Sequence, residues 1–467
     1  MSIQHARNER HFMSATTLLK TAGAAVIAFA LTFPAQAAVD IQEVRSDSGV
    51  TAWLVEDYTI PMIAINFAFE GGSVQDPEGK SGLVNLMSTL FDEGAADLES
   101  AEFQEALDNA GAEMSFEASS DALYGSMRLL SDNKDEALDL LRDAVNEPRF
   151  DTGPVERMRQ QILTGIRANS RDPQHQGMQE FSRVLYGDHP YALEREGTEP
   201  TLTSVTPDDL RAAHDKLLAK SNLHVAVVGA IDAETLKADL DRIFGALPEQ
   251  ADLKDVPRVD PKLGEDVRYE YAQPQSTLQL VYPGIERDDP EFFSAYLMNH
   301  ILGGGTFSSR LFNEVREKRG LTYGIGSWLQ NRDLSTAMSI STSTRADQVA
   351  QARDVIEAEV QKFVAEGPTA EELAKAKTYV VGAYAINNLD SSASIARTLL
   401  ELQRDDLGID YIDTRVAQIE AVTLDGVKAA AQRLLTDEPS LLVIGPKADE
   451  TDTGEAATEE TETDTSN

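Results

Sequence analysis

The sequence predicts an α+β protein of two homologous domains, each an antiparallel sheet packed with helices. Three observations lead there. Landmarks recur in the same order at a nearly constant offset, strand-like alternation interleaves with helical periodicity, and no segment after the N-terminus is long and apolar enough for a membrane helix. In the first half an apolar strand, Pro61–Phe69, leads to Gly71-Gly72, Asp76-Pro77 and a helical pattern around Leu83–Leu90. In the second half Ser276–Tyr282 leads to Pro283-Gly284, Asp289-Pro290 and a helical pattern over Phe292–Leu302. Each half closes on a buried-type strand with a glycine, Leu223–Gly229 and Leu441–Gly445. Pro77 and Pro290 lie 213 residues apart and Gly229 and Gly445 lie 216 apart, an offset steady enough to indicate duplication.

The remaining elements follow in chain order. Arg7, Arg10 and Lys20 precede an apolar run over residues 21–33, and Ala35-Gln-Ala37 supplies small residues for cleavage, so residues 1–37 read as a signal peptide. The first domain is expected over 38–252, with helices at Ser100–Ala110, Pro154–Ala168 and Asp208–Leu218, the last begun by Thr206-Pro-Asp-Asp as cap and acidic first turn. Ala112–Ala118 is a candidate edge strand. Pro248–Pro257 reads as linker, placing the boundary at 253–261. The second domain, 262–448, alternates with period two over Ala337–Ser343 and turns helical over Ala346–Ala365 and Ala370–Ile386. Residues 449–467 form an acidic, threonine-rich tail expected to be disordered, with seven carboxylates and no basic residue from Glu450 onward.

Composition limits function. With 79 acidic against 41 basic residues the net charge is −38, and −40 without residues 1–37, which disfavours nucleic acid and anionic membranes as partners. The chain has no cysteine, which removes disulfides, thiolate zinc sites and a lipidated cysteine, and is compatible with an exported, periplasmic protein. Five histidines remain beyond the signal, His175, His189, His214, His224 and His300, and none stands three or four residues from another as two ligands on one helical face would. His189 in Asp188-His-Pro-Tyr reads as a turn residue and His300 as a capping or packing residue. Gly303-Gly-Gly305 lacks the Gly-Lys-Ser/Thr of a phosphate loop and reads as a turn that lets chains approach closely.

Several blocks resemble the pitrilysin (insulinase-like) metallopeptidase family over nearly the whole mature chain, in its processing-peptidase-like two-domain branch. They are Gly71–Ser81 with the helix Gly82–Gly94, Leu185–Tyr191 with Gly197-Thr198 and Thr206–Leu210, Ser221–Asp232 and, most specifically, Leu302–Ser327. In that family the first helix carries His-x-x-Glu-His, two zinc ligands and the Glu that activates bound water. The corresponding residues are Asn85, Ser88 and Thr89, neither usual zinc ligands nor a base. The third ligand, a more distal Glu, falls at or beside Thr164 and Gly165, and Glu156 is more than two turns too early to replace it. The resemblance thus implies no zinc in this chain and no catalytic residue of its own. It also implies that Arg316 and Tyr323, in Arg316-Glu-Lys-Arg-Gly-Leu-Thr-Tyr323, contact substrate backbone. Read without the family, Arg316 is an ion-pair partner of Glu314 or Glu317 and Tyr323 a core strand residue.

The family's enzymes close a chamber from four such domains. The resemblance therefore implies half of a clamshell: the non-zinc subunit of a heterodimeric periplasmic endopeptidase, orienting peptide for a zinc-bearing companion, with Ala112–Ala118 as a docking edge. The alternative is a non-enzymatic binding or assembly protein that kept the fold.

Overall fold

Two sheets, one in each half, organise the computed structural model, which describes residues 39–447; the expected signal peptide and acidic tail lie outside that range. The first-half strands are β1 (Gln42–Arg45), β2 (Thr51–Glu56), β3 (Met62–Glu70), a small hairpin of β4 (Gly94–Ala95) and β5 (Leu98–Glu99), β6 (Glu113–Ala118), β7 (Ala122–Leu130) and β8 (Leu223–Gly229). Six of them form a sheet in the order β1-β2-β8-β3-β7-β6. In the second half β9 (Asp266–Glu270), β10 (Gln275–Pro283), β11 (Thr322–Arg332), β12 (Ser335–Arg345) and β13 (Ser440–Gly445) are ordered β11-β12-β10-β13-β9. Antiparallel pairing dominates, as expected, but β2 with β8 and β13 with β9 run parallel. The closing strand of each half slots between two earlier strands of opposite direction, so it can be antiparallel to only one of them.

The first half adds α1 (Leu83–Ser88), α2 (Ser100–Ala110), α3 (Lys134–Asn146), α4 (Thr152–Asn169), α5 (Pro173–Tyr186), α6 (Glu199–Thr203), α7 (Pro207–Leu217) and α8 (Ala233–Phe244). The second adds α9 (Phe292–Asn299), α10 (Val349–Glu366), α11 (Ala370–Asn388), α12 (Ser392–Arg404), α13 (Tyr411–Ala421) and α14 (Leu424–Leu435). Thr206 and Thr369 close capping boxes at α7 and α11, with acidic first turns. Alternation along β3 divides its side chains: Ile63, Ile65, Phe67 and Phe69 enter the core under α1, α3, α7 and α8, while Ala64 and Ala68 face the other way.

That other face is covered by a helix from the opposite half. Ala396, Leu399, Leu400 and Leu402 of α12 pack on Trp53, Val55, Ala64, Ala68, Ala226 and Val228 of the first sheet. Reciprocally, Phe181, Leu185 and Tyr186 of α5 pack on Val267, Val281, Leu442 and Ile444 of the second. Close approach fixes one residue here, since a Cβ on Gly177 would lie 2.6 Å from Ile444. Two hairpin turns meet beneath these helices. The Tyr191 hydroxyl donates to Asp121 at 2.5 Å and accepts from the Leu334 N–H at 3.1 Å, joining the β6–β7 turn to the β11–β12 turn. Arg404 of α12 bonds the Tyr124 hydroxyl and donates to both Asp333 oxygens at 3.0 and 3.1 Å. Burial pushes the Asp333 carboxyl up to about 6, against the opposing pull of Arg404.

If each exchanged helix is integral to both halves, Leu399→Ala costs about 2–5 kcal/mol and Phe181→Ala about 3–5. Both variants still unfold in one cooperative transition by calorimetry; a second transition would show that the halves unfold separately.

Candidate functional site

The helix that the resemblance aligns with the family's zinc motif, and that is expected to hold no metal here, is present. Asp76 accepts from the N–H groups of Gly82 at 2.7 Å and Val84 at 2.9 Å and so starts α1, while Leu83, Val84, Leu86 and Met87 are buried in the first core. Burial pushes the Asp76 carboxyl up to about 7, offset by those N–H groups and by Lys254. The buried Ser88 hydroxyl donates to the Asn85 carbonyl and the Thr89 hydroxyl to the Leu86 carbonyl, each at 2.8 Å. Both side chains therefore turn back on their own helix. Helix α4 packs against α1, but its Thr164 hydroxyl is bonded to the Gln160 carbonyl at 2.8 Å and Gly165 offers no side chain. Glu156 is engaged by Arg159 and Gln160. An amide and hydroxyls committed to backbone do not make a zinc site, and among the described residues no three His, Cys, Asp or Glu are grouped to hold a metal. Beside α1 runs β6, an edge strand that among the described residues pairs only with β7. Phe116 of β6 stacks on Phe91 with centroids 4.5 Å apart, and Glu113, Ser115 and Glu117 are exposed.

The structure brings Arg316 and Tyr323 together. Arg316 lies on a π-helical turn, Phe312–Glu317, with its guanidinium 5.3 Å from the Phe312 ring and paired with Glu317. Tyr323 is 88% exposed on β11, so the core-residue alternative fails for it. A bulge between Thr322 and Ile325 re-aims the ring, and buried threonines hold that bulge. The Thr322 hydroxyl donates to the Ser343 carbonyl at 2.7 Å and accepts from the Gly324 N–H at 3.1 Å. Thr342 Oγ1 lies 2.8 Å from both Thr322 Oγ1 and the Gly324 carbonyl, and the Thr344 hydroxyl donates to the Leu321 carbonyl at 2.6 Å. Arg316 and Tyr323 line one open groove of about 260 Å³ with Gln275, Thr322, Ser343, Arg345 and Gln348. The sequence reading missed the three threonines. Their signal is that, on β12, the core-facing series Met338, Ile340 continues as Thr342, Thr344.

The π-turn is anchored from behind by Arg310. It donates to Glu372 Oε1 at 2.7 Å and Oε2 at 2.8 Å, to the Gly367 carbonyl at 3.1 Å, and lies 4.6 Å from the Phe363 ring. Before it, the helix expected over Phe292–Leu302 changes to a π-turn at His300–Gly304, where a Cβ on Gly303 would meet Ser327 Oγ at 2.4 Å. His300 stacks on Tyr379 at 5.1 Å, and burial lowers its pKa. His189 caps a 3₁₀ turn: Nδ1 accepts from the Tyr191 N–H at 3.1 Å and Nε2 donates to the Pro257 carbonyl at 2.9 Å, tying the turn to the linker.

Two sheet-and-helix units, a zinc-type helix without ligands and an Arg/Tyr groove define a metallopeptidase-like half-shell. The sequence matches the model for the insulinase peptidases of family M16 over residues 53–199 and that for the M16 inactive domain over residues 204–380. A crystal structure of a peptidase M16 inactive domain from Pseudomonas fluorescens is 30% identical with a TM-score of 0.81, over 87% of this chain and 98% of that one. The chain belongs to the M16, or insulinase, family. Among curated relatives, a Bacillus subtilis protein named uncharacterized zinc protease YmxG is 23% identical over 87% of this chain and 98% of its own length. A Helicobacter pylori protein named non-peptidase homolog YmxG is 23% identical over 84% of this chain and 91% of its own.

The Arg310–Glu372 anchor has a pH signature. Donation from Arg310 lowers the Glu372 carboxyl to about 2. The folded state thus releases this proton more readily than the unfolded chain, and the anchor's stability is complete above about pH 4.5 and lost as pH falls towards 2. Glu372→Gln lowers stability at neutral pH by on the order of 1–2 kcal/mol, the pair being partly exposed, and flattens the acid limb of a denaturation-versus-pH series. An unchanged acid limb would show that other carboxylates set it.

Proposed function

We propose that this chain is the non-zinc subunit of a two-chain M16 endopeptidase, exported to a bacterial periplasm. It closes the chamber and orients peptide for a companion that carries His-x-x-Glu-His. One observation carries the reading: Asn85, Ser88 and Thr89 stand where the zinc motif would be, both hydroxyls bonded to helix carbonyls, while Arg316 and the exposed Tyr323 line the same open groove. Loss of function without division of labour gives no reason to keep that groove.

The chemistry assigned to this chain is positioning. A guanidinium and a phenol donate to carbonyl oxygens of an extended peptide, and at the scissile bond such donors stabilise charge developing on oxygen. The outer edge of β6, beside α1 and unpaired among the described residues, offers backbone groups to which a peptide could add as a strand. No step through a metal is assigned to these residues; zinc belongs to the companion. The acidic surface disfavours nucleic acid and anionic membranes, and among the described residues no helix is long and apolar enough to cross a membrane. The Helicobacter pylori relative's name, a non-peptidase homologue, fits a chain inactive by itself.

The test compares peptide hydrolysis by this chain, by an M16 companion with an intact zinc motif, and by their mixture, each with and without chelator. Activity is expected only in the mixture and is lost with chelator. Arg316→Ala and Tyr323→Phe lower kcat/KM of the mixture by roughly 10- to 1000-fold, with stability changed by less than about 0.5 kcal/mol because both side chains are exposed. Chelator-sensitive hydrolysis by this chain alone would overturn the proposal. A mixture no more active than the companion would favour a binding or assembly role instead.

A further inference from the structure

We infer that the groove selects a carboxylate on the bound peptide and that Arg345 is its second arm. The inference rests on the reading of Arg316 and Tyr323 as substrate-facing and names what they face.

The chain carries 79 acidic and 41 basic residues, yet among the described residues no aspartate or glutamate lines this groove, whereas two arginines do. The charge sign that dominates the chain is inverted at the one place where the two family residues meet. Arg345 is placed by pairing: it ends β12 directly opposite Gln275 of β10, one residue beyond Thr344, which pairs with Thr322 next to Tyr323. The groove therefore presents guanidinium groups from two elements, a phenol, and the amides of Gln275 and Gln348, all able to donate.

Both guanidinium groups are free to change partners. Arg316 is paired with Glu317, its neighbour in sequence, and Arg345 with Asp347, two residues on. All four side chains are at least 43% exposed, and neither carboxylate lines the groove. Exposed pairs are weakened by water and salt, and this holds for Arg345 although it bonds both Asp347 oxygens. A ligand carboxylate can displace them at little cost and gain paired, charge-assisted N–H bonds. The nearby Lys318 and Arg319 are both held by Glu314, so they add positive potential without competing for the ligand. The carboxylate has two possible sources in a peptide, its C-terminus or an acidic side chain.

The experiment measures binding of labelled peptides to the full chain without a companion. One peptide has a free C-terminus and one glutamate; the second is its C-terminal amide; the third replaces the glutamate by glutamine. One of the two changes is expected to weaken binding roughly tenfold at low salt and less at high salt, and which one identifies the source. Arg345→Ala abolishes the difference, and Arg345→Glu reverses it. Equal binding of all three peptides, no binding of any, or a difference that survives Arg345→Ala overturns the inference. Those results leave the subunit proposal to the mixture assay, in which carboxylate preference plays no part if the test peptide is neutral and amidated.

Discussion

Each sheet owes the burial of one face to a helix from the other half, and the rest of the molecule depends on that exchange. Without α12, the first sheet would expose Trp53, Val55 and Val228; without α5, the second would expose Val267, Leu442 and Ile444. Each such side chain loses roughly 1.5–3 kcal/mol when left in water, so neither half reads as a self-sufficient unit. The exchange also explains why the two hairpin turns lie close enough to be bridged. Asp121 and Asp333 occupy corresponding positions in the repeat, and two like charges would repel unless donors stood between them. Tyr191 and Arg404, adjoining or ending the exchanged helices, are those donors. β6 and β11, the outer strands of these two hairpins, end their sheets.

Sequence periodicity revealed the pieces better than their partners. The Ser100–Ala110 helix has the bounds expected of it, and α7 and α11 begin where their threonine caps and acidic turns placed them, because a cap is written within four residues. By contrast α5 and α12 were not singled out. Their apolar stripes say that one face is buried, but not that it is buried on the other half's sheet. The partner of Asp121 was out of reach for the same reason: Tyr191 lies 70 residues away, and the turn that Tyr191 bridges to lies a further 143 away. The antiparallel reading missed one pair in each sheet because strand direction depends on insertion order, which alternation does not encode.

At the candidate site, absence was more legible than geometry. Asn85, Ser88 and Thr89 could be rejected as ligands by chemistry alone. Sequence did not show how completely they are absorbed: two hydroxyls return to helix carbonyls, and the helix itself serves as a wedge of the first core. Retention of α1 therefore needs no catalytic explanation. Tyr323 is the converse case. Regular alternation along β11 offered a core residue, and only the bulge, held by Thr322 and Thr342 from the neighbouring strand, turns it outward.

These two outcomes differ in kind. In α1 the hydroxyls of Ser88 and Thr89 are satisfied by the helix's own carbonyls. The Arg/Tyr groove is built differently. Three threonine hydroxyls hold a bulge whose effect is to leave a phenol in solvent, and the guanidinium groups beside it pair with exposed carboxylates. A large exposed aromatic ring contributes little to folding, and a bulge disrupts a ladder that a regular strand would complete. The arrangement makes physical sense if the missing partner of these donors is a ligand.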